Sequence, residues 1–238
     1  MRQVVSLSGG RDSTAMLLMM LEKGEQIDDI LFFDWGMEFP QMYEHLDKLE
    51  SYIGQKITRL YPPKPWEYWM LDHVKTKGKR KDKIGYGWPS PKIRWCTRIK
   101  YQECRKYEKG AISCIGYAYH ERFSRARYRN GHRFPLLELG VTSQEALKYC
   151  EAHGFDFGGL YKLFNRVSCW CCPFQGRKEV EALRGHFPDL WSRMLDMASK
   201  CEFPLPDSYP LSVHLKTESD IHPVGADRRV CPKRTVNK

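Results

Sequence analysis

Residues 2–13 restrict the fold more than any other stretch of this chain. RQVVSLS at 2–8 has the apolar, β-branched make-up of a buried strand. Ser8-Gly9-Gly10-Arg11-Asp12-Ser13 follows with no spacer, and TAMLLMMLEKG then reads as a helix. A strand that turns through two glycines into a helix start makes an anion site. The glycines let backbone N–H groups approach a phosphate, and the helix N-terminus adds its dipole. Ser8 and Ser13 place hydroxyls on either side. Asp12 sets a carboxylate beside the expected phosphates, which calls for a metal ion such as magnesium or for a capping role. The spacing is not the Walker pattern, which needs a longer spacer and a Lys before Ser/Thr. It is not the dinucleotide GxGxxG either.

The following segments alternate in the same way. DDILFF at 28–33, KITRLY at 56–61 and AISCIG at 111–116 read as strands. Residues 41–53, 97–109 and 142–153 read as helices, the last with Thr142 and Glu145 at capping-box spacing. Strand–helix alternation predicts an α/β, Rossmann-like parallel sheet flanked by helices, with ligands at the carboxyl ends of the strands. Asp34 stands at such an end, Gly36 permits a turn, and Pro40 can start the next helix. Two short helices are expected within 177–200, and the Pro- and charge-rich tail at 202–238 is expected to wrap the surface. The domain reading is a nucleotide-binding domain over 1–175 with a helical and irregular extension, 176–238, packed on it.

Hydrophobic residues make up 42% of the 238, which excludes disorder throughout. No apolar run reaches about 18 residues, so no membrane span is expected. The chain enters its first strand at once, so no signal peptide is expected and the cytoplasm is the expected location. A net charge of +10 points to a polyanionic partner, such as tRNA or DNA, or to an anionic substrate; a merely basic enzyme is the plain alternative. Residues 75–91, KTKGKRKDKIGYGWPSP, read as a mobile charged loop or as a lid or nucleic-acid contact, with Tyr86 and Trp88 as stacking residues. Arg122, Arg125, Arg127, Arg129 and Arg133 crowd the stretch after the fourth strand, and their forks suit phosphate or sulfate oxygens.

The nine cysteines point to metal or redox chemistry rather than structural disulfides. Cys169-Trp170-Cys171-Cys172-Pro173 holds a CxxC with a third cysteine inside it, and Cys96 would have to arrive by folding. Four such thiolates suit an iron–sulfur cluster or zinc. Buried, unligated thiols are the third reading. Cys104, Cys114, Cys150 and Cys201 lack ligand spacing and read as core or surface thiols.

The hexapeptide SGGRDS resembles the PP-loop, SGGxDS, of the ATP pyrophosphatase superfamily. Four further segments, in order, resemble the phosphoadenosine phosphosulfate (PAPS) reductases and their relatives. Asp34-Trp35-Gly36-Met37-Glu38-Phe39-Pro40 is similar to their DTGxxFPET stretch. Arg94-Trp95-Cys96-Thr97-Arg98-Ile99-Lys100 is similar to their cysteine-plus-basic segment. Gly116-Tyr117-Ala118-Tyr119-His120-Glu121-Arg122-Phe123-Ser124-Arg125 is similar to GxRxxESxxR. Pro135-Leu136-Leu137-Glu138, with the helix after it, is similar to PLxxWTxxDV. The resemblance implies that Ser8, Gly9, Gly10, Arg11, Asp12, Ser13, Asp34, Gly36 and Gly116 bind ATP or a sulfonucleotide (APS or PAPS). It implies that Arg125 and Asp12 serve the reaction, and that Cys96 meets the CxxC near the nucleotide. Some relatives hold a 4Fe–4S cluster with such residues. Here Cys171 would supply a fourth thiolate, or one iron would carry a non-protein ligand.

Two activities are open on this resemblance. A reductase would form sulfite using a late nucleophilic cysteine, normally in an ECG-type tail. This chain has Cys231 in RRVCPKR instead. An adenylating sulfurtransferase would use ATP to activate an oxygen of tRNA or DNA and then deliver sulfur from a thiol or a sulfur-donor protein. A nucleotide- or nucleic-acid-binding module with a structural metal is the alternative outside enzymology. Arg11 stands where relatives often carry Lys, and His120 where they often carry Arg or a small residue.

Overall fold

The structure is a computed structural model and describes residues 1–77, 81–123, 131–203, 205 and 209–212. Its elements run β1 (Gln3–Leu7), α1 (Arg11–Glu22), β2 (Asp29–Phe33), α2 (Pro40–Ile53), β3 (Ile57–Leu60), α3 (Trp95–Tyr107), β4 (Ile112–Ile115) and β5 (His132–Arg133). They continue with α4 (Pro135–Glu138), α5 (Ser143–Ala152), α6 (Leu160–Leu163), α7 (Arg177–His186) and α8 (Pro188–Ser199). The sheet order is β3-β2-β1-β4-β5, and every pair is parallel. The fold is therefore the expected α/β type, a parallel sheet flanked by helices. The two-residue β5 is too short to announce itself in sequence.

The topology has a switch point beside β1. The chain moves outward from β1 to β3, then returns to the other side of β1 as β4. Val4 is paired with Asp29 on one flank and with Ser113 on the other. Crossovers on opposite sides of β1 put the topological switch point at the carboxyl ends of β1 and β4, where ligands of such sheets bind. The loop beginning at Ser8 leaves β1 at that point.

β1 alternates between two cores. Val5 and Leu7 pack with Ala15, Met16, Leu17, Leu46 and Cys150 on one face. Val4 faces a second cluster rich in tryptophan, which includes Trp35, Trp66, Trp88, Trp95, Trp170 and Trp191. Alternate residues buried on both faces explain the continuous apolar run of the strand. Trp66 and Trp95 lie with ring centroids 4.6 Å apart, and Trp35 meets each edge-on. Val180, Leu183, Met194 and Met197, from α7 and α8, belong to the same cluster. α5 begins on the expected capping box: the Glu145 N–H donates to Thr142 Oγ1 at 3.3 Å, and the Thr142 N–H to Glu145 Oε2 at 2.8 Å.

Several described residues of the stretch at 75–91 are packed against the rest of the chain. Val74 and Ile84 form an antiparallel bridge, and the N–H groups of Tyr86 and Gly87 donate to the carbonyls of Trp69 and Met70 at 2.9 and 3.0 Å. Trp88 is 6% exposed, and the Tyr86 ring stacks on Trp95 at 6.1 Å. Trp88 is therefore not free to stack on a base, and Tyr86 is half-buried. The apolar rings face the tryptophan core and the basic residues dominate the composition, which disguises a packed segment as a solvated one. Gly78, Lys79 and Arg80 lie outside the described residues, as does the tail after 212. Among the described residues no helix is long and apolar enough to cross a membrane.

Candidate nucleotide and thiol site

The loop after β1 is built to leave donors exposed to an anion. Gly9 adopts φ +78°, and a side chain there would run into Met42. The Ser8 N–H donates to Ser13 Oγ at 3.1 Å, the two hydroxyls lie 3.0 Å apart, and Ser13 Oγ donates to the Gly10 carbonyl at 3.1 Å. The two serines therefore brace the loop. Gly10 is the N-cap of α1 and gives it no side-chain cap. From the far side Thr14 Oγ1 supports the Gly9 carbonyl at 3.4 Å and shares a 3.1 Å hydrogen bond with His45 Nε2. Burial, then the charge of Lys48, pushes His45 down to about 4, so the ring is neutral at ordinary pH.

Gly116 crosses the first turn of α1. A Cβ there would lie 2.8 Å from Ser13 Cα and 2.9 Å from Ser13 N. The glycine after β4 is thus needed for close approach of backbone to backbone, which places it at the switch point. Asp12 lies in the first turn of α1, and its Oδ1 is buried with no hydrogen-bond partner. An orphaned carboxylate oxygen beside an anion loop fits a hard cation such as magnesium.

Asp34 is a turn organiser. Its Oδ1 accepts from the Gly36 N–H at 2.6 Å and from the Tyr43 hydroxyl at 2.9 Å. Burial, then the Asp34 bond, pushes the Tyr43 phenol up, so it stays a donor. Gly36 takes φ +70°, as the turn requires. This turn reaches the cysteines. The Trp170 N–H donates to the Met37 carbonyl at 3.0 Å, and Cys169 Sγ donates to Glu38 Oε1 at 3.5 Å. Burial, offset by the charge of Lys100, raises the Glu38 carboxyl.

Cys171 is fully buried, while Cys96, Cys169 and Cys172 keep some exposure. None of the four is in a disulfide. Burial raises all four thiols, and each feels the charge of another member of the set or of Glu38. The donor chemistry fits a soft metal or a cluster, because a bound cation is what turns buried thiols into thiolates. Among the described residues, however, no three His, Cys, Asp or Glu side chains close to ligating geometry.

The arginine-rich stretch divides. Arg133 is not available to an anion: it binds Glu25, and its Nη2 lies 2.7 Å from Glu138. These carboxylates raise its pKa, the Glu25 hydrogen bond foremost. Arg122 is exposed and lies over the rings of Tyr119 and Phe123. Arg125, Arg127, Arg129 and Cys231 lie outside the described residues.

A family model for the phosphoadenosine phosphosulfate reductase domain matches residues 2–175. The chain belongs to that family. Two uncharacterized proteins of Methanocaldococcus jannaschii are similar to it. One is 28% identical over 205 residues, covering 80% of this chain and 40% of its own length. The other is 23% identical over 212 residues, covering 82% of this chain and 47% of its own. The chain thus spans less than half the length of these curated relatives. Among solved structures, the U34-tRNA thiolase NcsA from Methanococcus maripaludis, with its 4Fe–4S cluster, aligns with a TM-score of 0.42 at 15% identity. That alignment covers 87% of this chain and 74% of that one.

Two residues of the candidate site carry no sequence signal. Glu38 occupies a variable position of its motif and still touches the cysteine turn. Tyr161, on the one-turn α6, accepts a hydrogen bond from the Arg11 N–H at 2.8 Å. No local pattern at 157–163 announces that contact, since its partner is 150 residues earlier.

Proposed function

We propose that this chain is an adenylyl-nucleotide enzyme of sulfur chemistry. It binds ATP or a sulfonucleotide at the SGGRDS loop and carries out sulfur transfer or reduction beside the cysteines. One observation carries the reading: the loop after β2 is hydrogen-bonded through Met37 to the cysteine turn at Trp170. It also starts at the carboxyl edge of the same sheet as the anion loop. A nucleotide on one and sulfur on the other would face each other at that edge.

In this reading the N–H groups of Gly9, Gly10, Asp12 and Ser13 cradle phosphate oxygens, and Ser8 and Ser13 hold the loop in shape. Asp12 would hold magnesium, which draws charge off the phosphates when bound. Asp34 fixes the turn that flanks the nucleotide. Arg125 is assigned to the substrate anion. Cys96, Cys169 and Cys172 would hold an iron–sulfur cluster, with Cys171 as the further thiol; such a cluster supplies a sulfur-binding iron or an electron. Zinc on the same thiols is the alternative occupant. The net charge of +10 favours a polyanionic acceptor, tRNA or DNA, and hence adenylation by ATP followed by sulfur delivery.

Pyrophosphate release from ATP, measured with and without tRNA or DNA, tests the reading. Release stimulated by one nucleic acid and lost in Asp12→Ala and Ser13→Ala supports it. Full turnover in either variant would remove the loop from the site. Sulfite formed from PAPS with a thiol donor, and lost in Cys231→Ser, would replace transfer by reduction.

A further inference from the structure

Gly10 presents a bare backbone face where an anion would approach α1, and a protein group already sits there. A Cβ on Gly10 would lie 3.1 Å from the Tyr161 hydroxyl oxygen. That oxygen accepts the Arg11 N–H at 2.8 Å. The loop offers the helix no side-chain cap of its own, since Gly10 has no side chain and the Ser13 hydroxyl donates back to the Gly10 carbonyl. The phenol therefore acts as the cap, reaching across from a distant segment. Its ring is held in place by an edge contact with Phe157 at 4.9 Å and by the Arg11 guanidinium 4.9 Å above it. An N–H carries one hydrogen, and a phosphate oxygen that accepts it must occupy the space the phenol oxygen fills.

We propose that the Tyr161 hydroxyl stands in for a phosphate oxygen at the start of α1 and is displaced when the nucleotide's phosphate binds. The inference rests on the reading of SGGRDS as the nucleotide site and adds a residue that sets its affinity. Tyr161 is a positioning residue: it keeps the loop folded around an empty seat and competes with the ligand for one donor. An interaction present in the free state and absent from the bound state opposes binding by its full worth. A helix cap of ordinary strength corresponds to roughly a fivefold change in an equilibrium constant.

Tyr161→Phe isolates the oxygen, because the ring contacts with Phe157 and Arg11 remain. Calorimetric titration of the full chain with inorganic pyrophosphate and with ATP should show the variant binding about fivefold more tightly than wild type. Its melting temperature should fall without ligand and match wild type at saturating pyrophosphate. Weaker binding would mean that the phenol donates to the ligand, and unchanged binding that it does not compete; either overturns the proposal. In wild type labelled with 3-fluorotyrosine, the fluorine resonance that is missing from Tyr161→Phe should shift when pyrophosphate is added. A resonance that stays in place also overturns displacement. If wild type and variant both ignore ATP, PAPS and pyrophosphate, the nucleotide reading itself falls, and the inference with it.

Discussion

Gly116→Ala puts the switch-point geometry to a quantitative test. The added methyl would meet Ser13 Cα at 2.8 Å, Ser13 N at 2.9 Å and the Asp12 carbonyl carbon at 3.1 Å. These are backbone atoms of the first turn of α1, so no rotamer change relieves the contact. Either the β4 loop or the helix start must move. Overpacking of this kind costs about 1–3 kcal/mol. In a chain of this length that corresponds to a fall in melting temperature of roughly 2–10 °C. Gly185→Ala is the matched control. Gly185 lies near the end of α7 with nothing within 4 Å of its added methyl. There the same change should stabilise by about 0.5–1 kcal/mol through helix propensity. Thermal and urea unfolding of both variants, followed by calorimetry with ATP, gives the comparison. Gly116→Ala should also lose nucleotide affinity, because the displaced backbone is the anion loop; Gly185→Ala should keep it. Two variants of equal stability, or a Gly116→Ala chain with wild-type affinity, would refute the close-approach argument.

The remaining predictions concern other elements. His45 is neutral in the fold with a pKa pushed down to about 4, so the unfolded chain binds the extra proton between that value and about 6.5. Its contribution is present above pH 6.5 and is lost as pH falls toward 4, on the order of 3 kcal/mol, and His45→Gln should flatten that part of a stability-versus-pH curve. Thr142→Ala removes the capping-box hydroxyl of α5 and should cost about 1 kcal/mol in urea unfolding, with nucleotide binding unaffected. Cys96→Ser and Cys172→Ser should lose the iron and sulfide retained after anaerobic purification, whereas Cys114→Ser, on the opposite face of the sheet, should keep them. A colourless wild type carrying stoichiometric zinc would overturn the cluster assignment.

What sequence could reveal was governed by how local the signal is. The anion loop, the parallel strands and the α5 cap depend on neighbouring residues, and each sits where its local pattern places it. The burial of Trp88 is not legible because composition averages over a segment, while burial is decided residue by residue. Lys75 illustrates this: it begins the most basic stretch of the chain and is 7% exposed. Arg133 looked like one of five anion-binding arginines, yet Glu25 and Glu138 claim it through folding. Tyr161 and Glu38 owe their places to contacts between segments far apart in the chain, which no spacing rule encodes.

The hydrogen bond from the Trp170 N–H to the Met37 carbonyl has a consequence for how such chains can diverge. It is made entirely by main-chain atoms, so it needs no particular side chain at either position, only an N–H at 170, which proline lacks. A single inserted or deleted residue in either turn would break it. Lengthening is tolerated between the turns at surface connections such as the one between α3 and β4, where Lys109 and Gly110 are exposed, without shifting one turn against the other. The spacing between the turn after β2 and the cysteine turn is therefore more sensitive to changes of length than to changes of side chain. Homologues should keep buried apolar residues at 37 and 170, which lie in the tryptophan core, while holding the two turns gap-free.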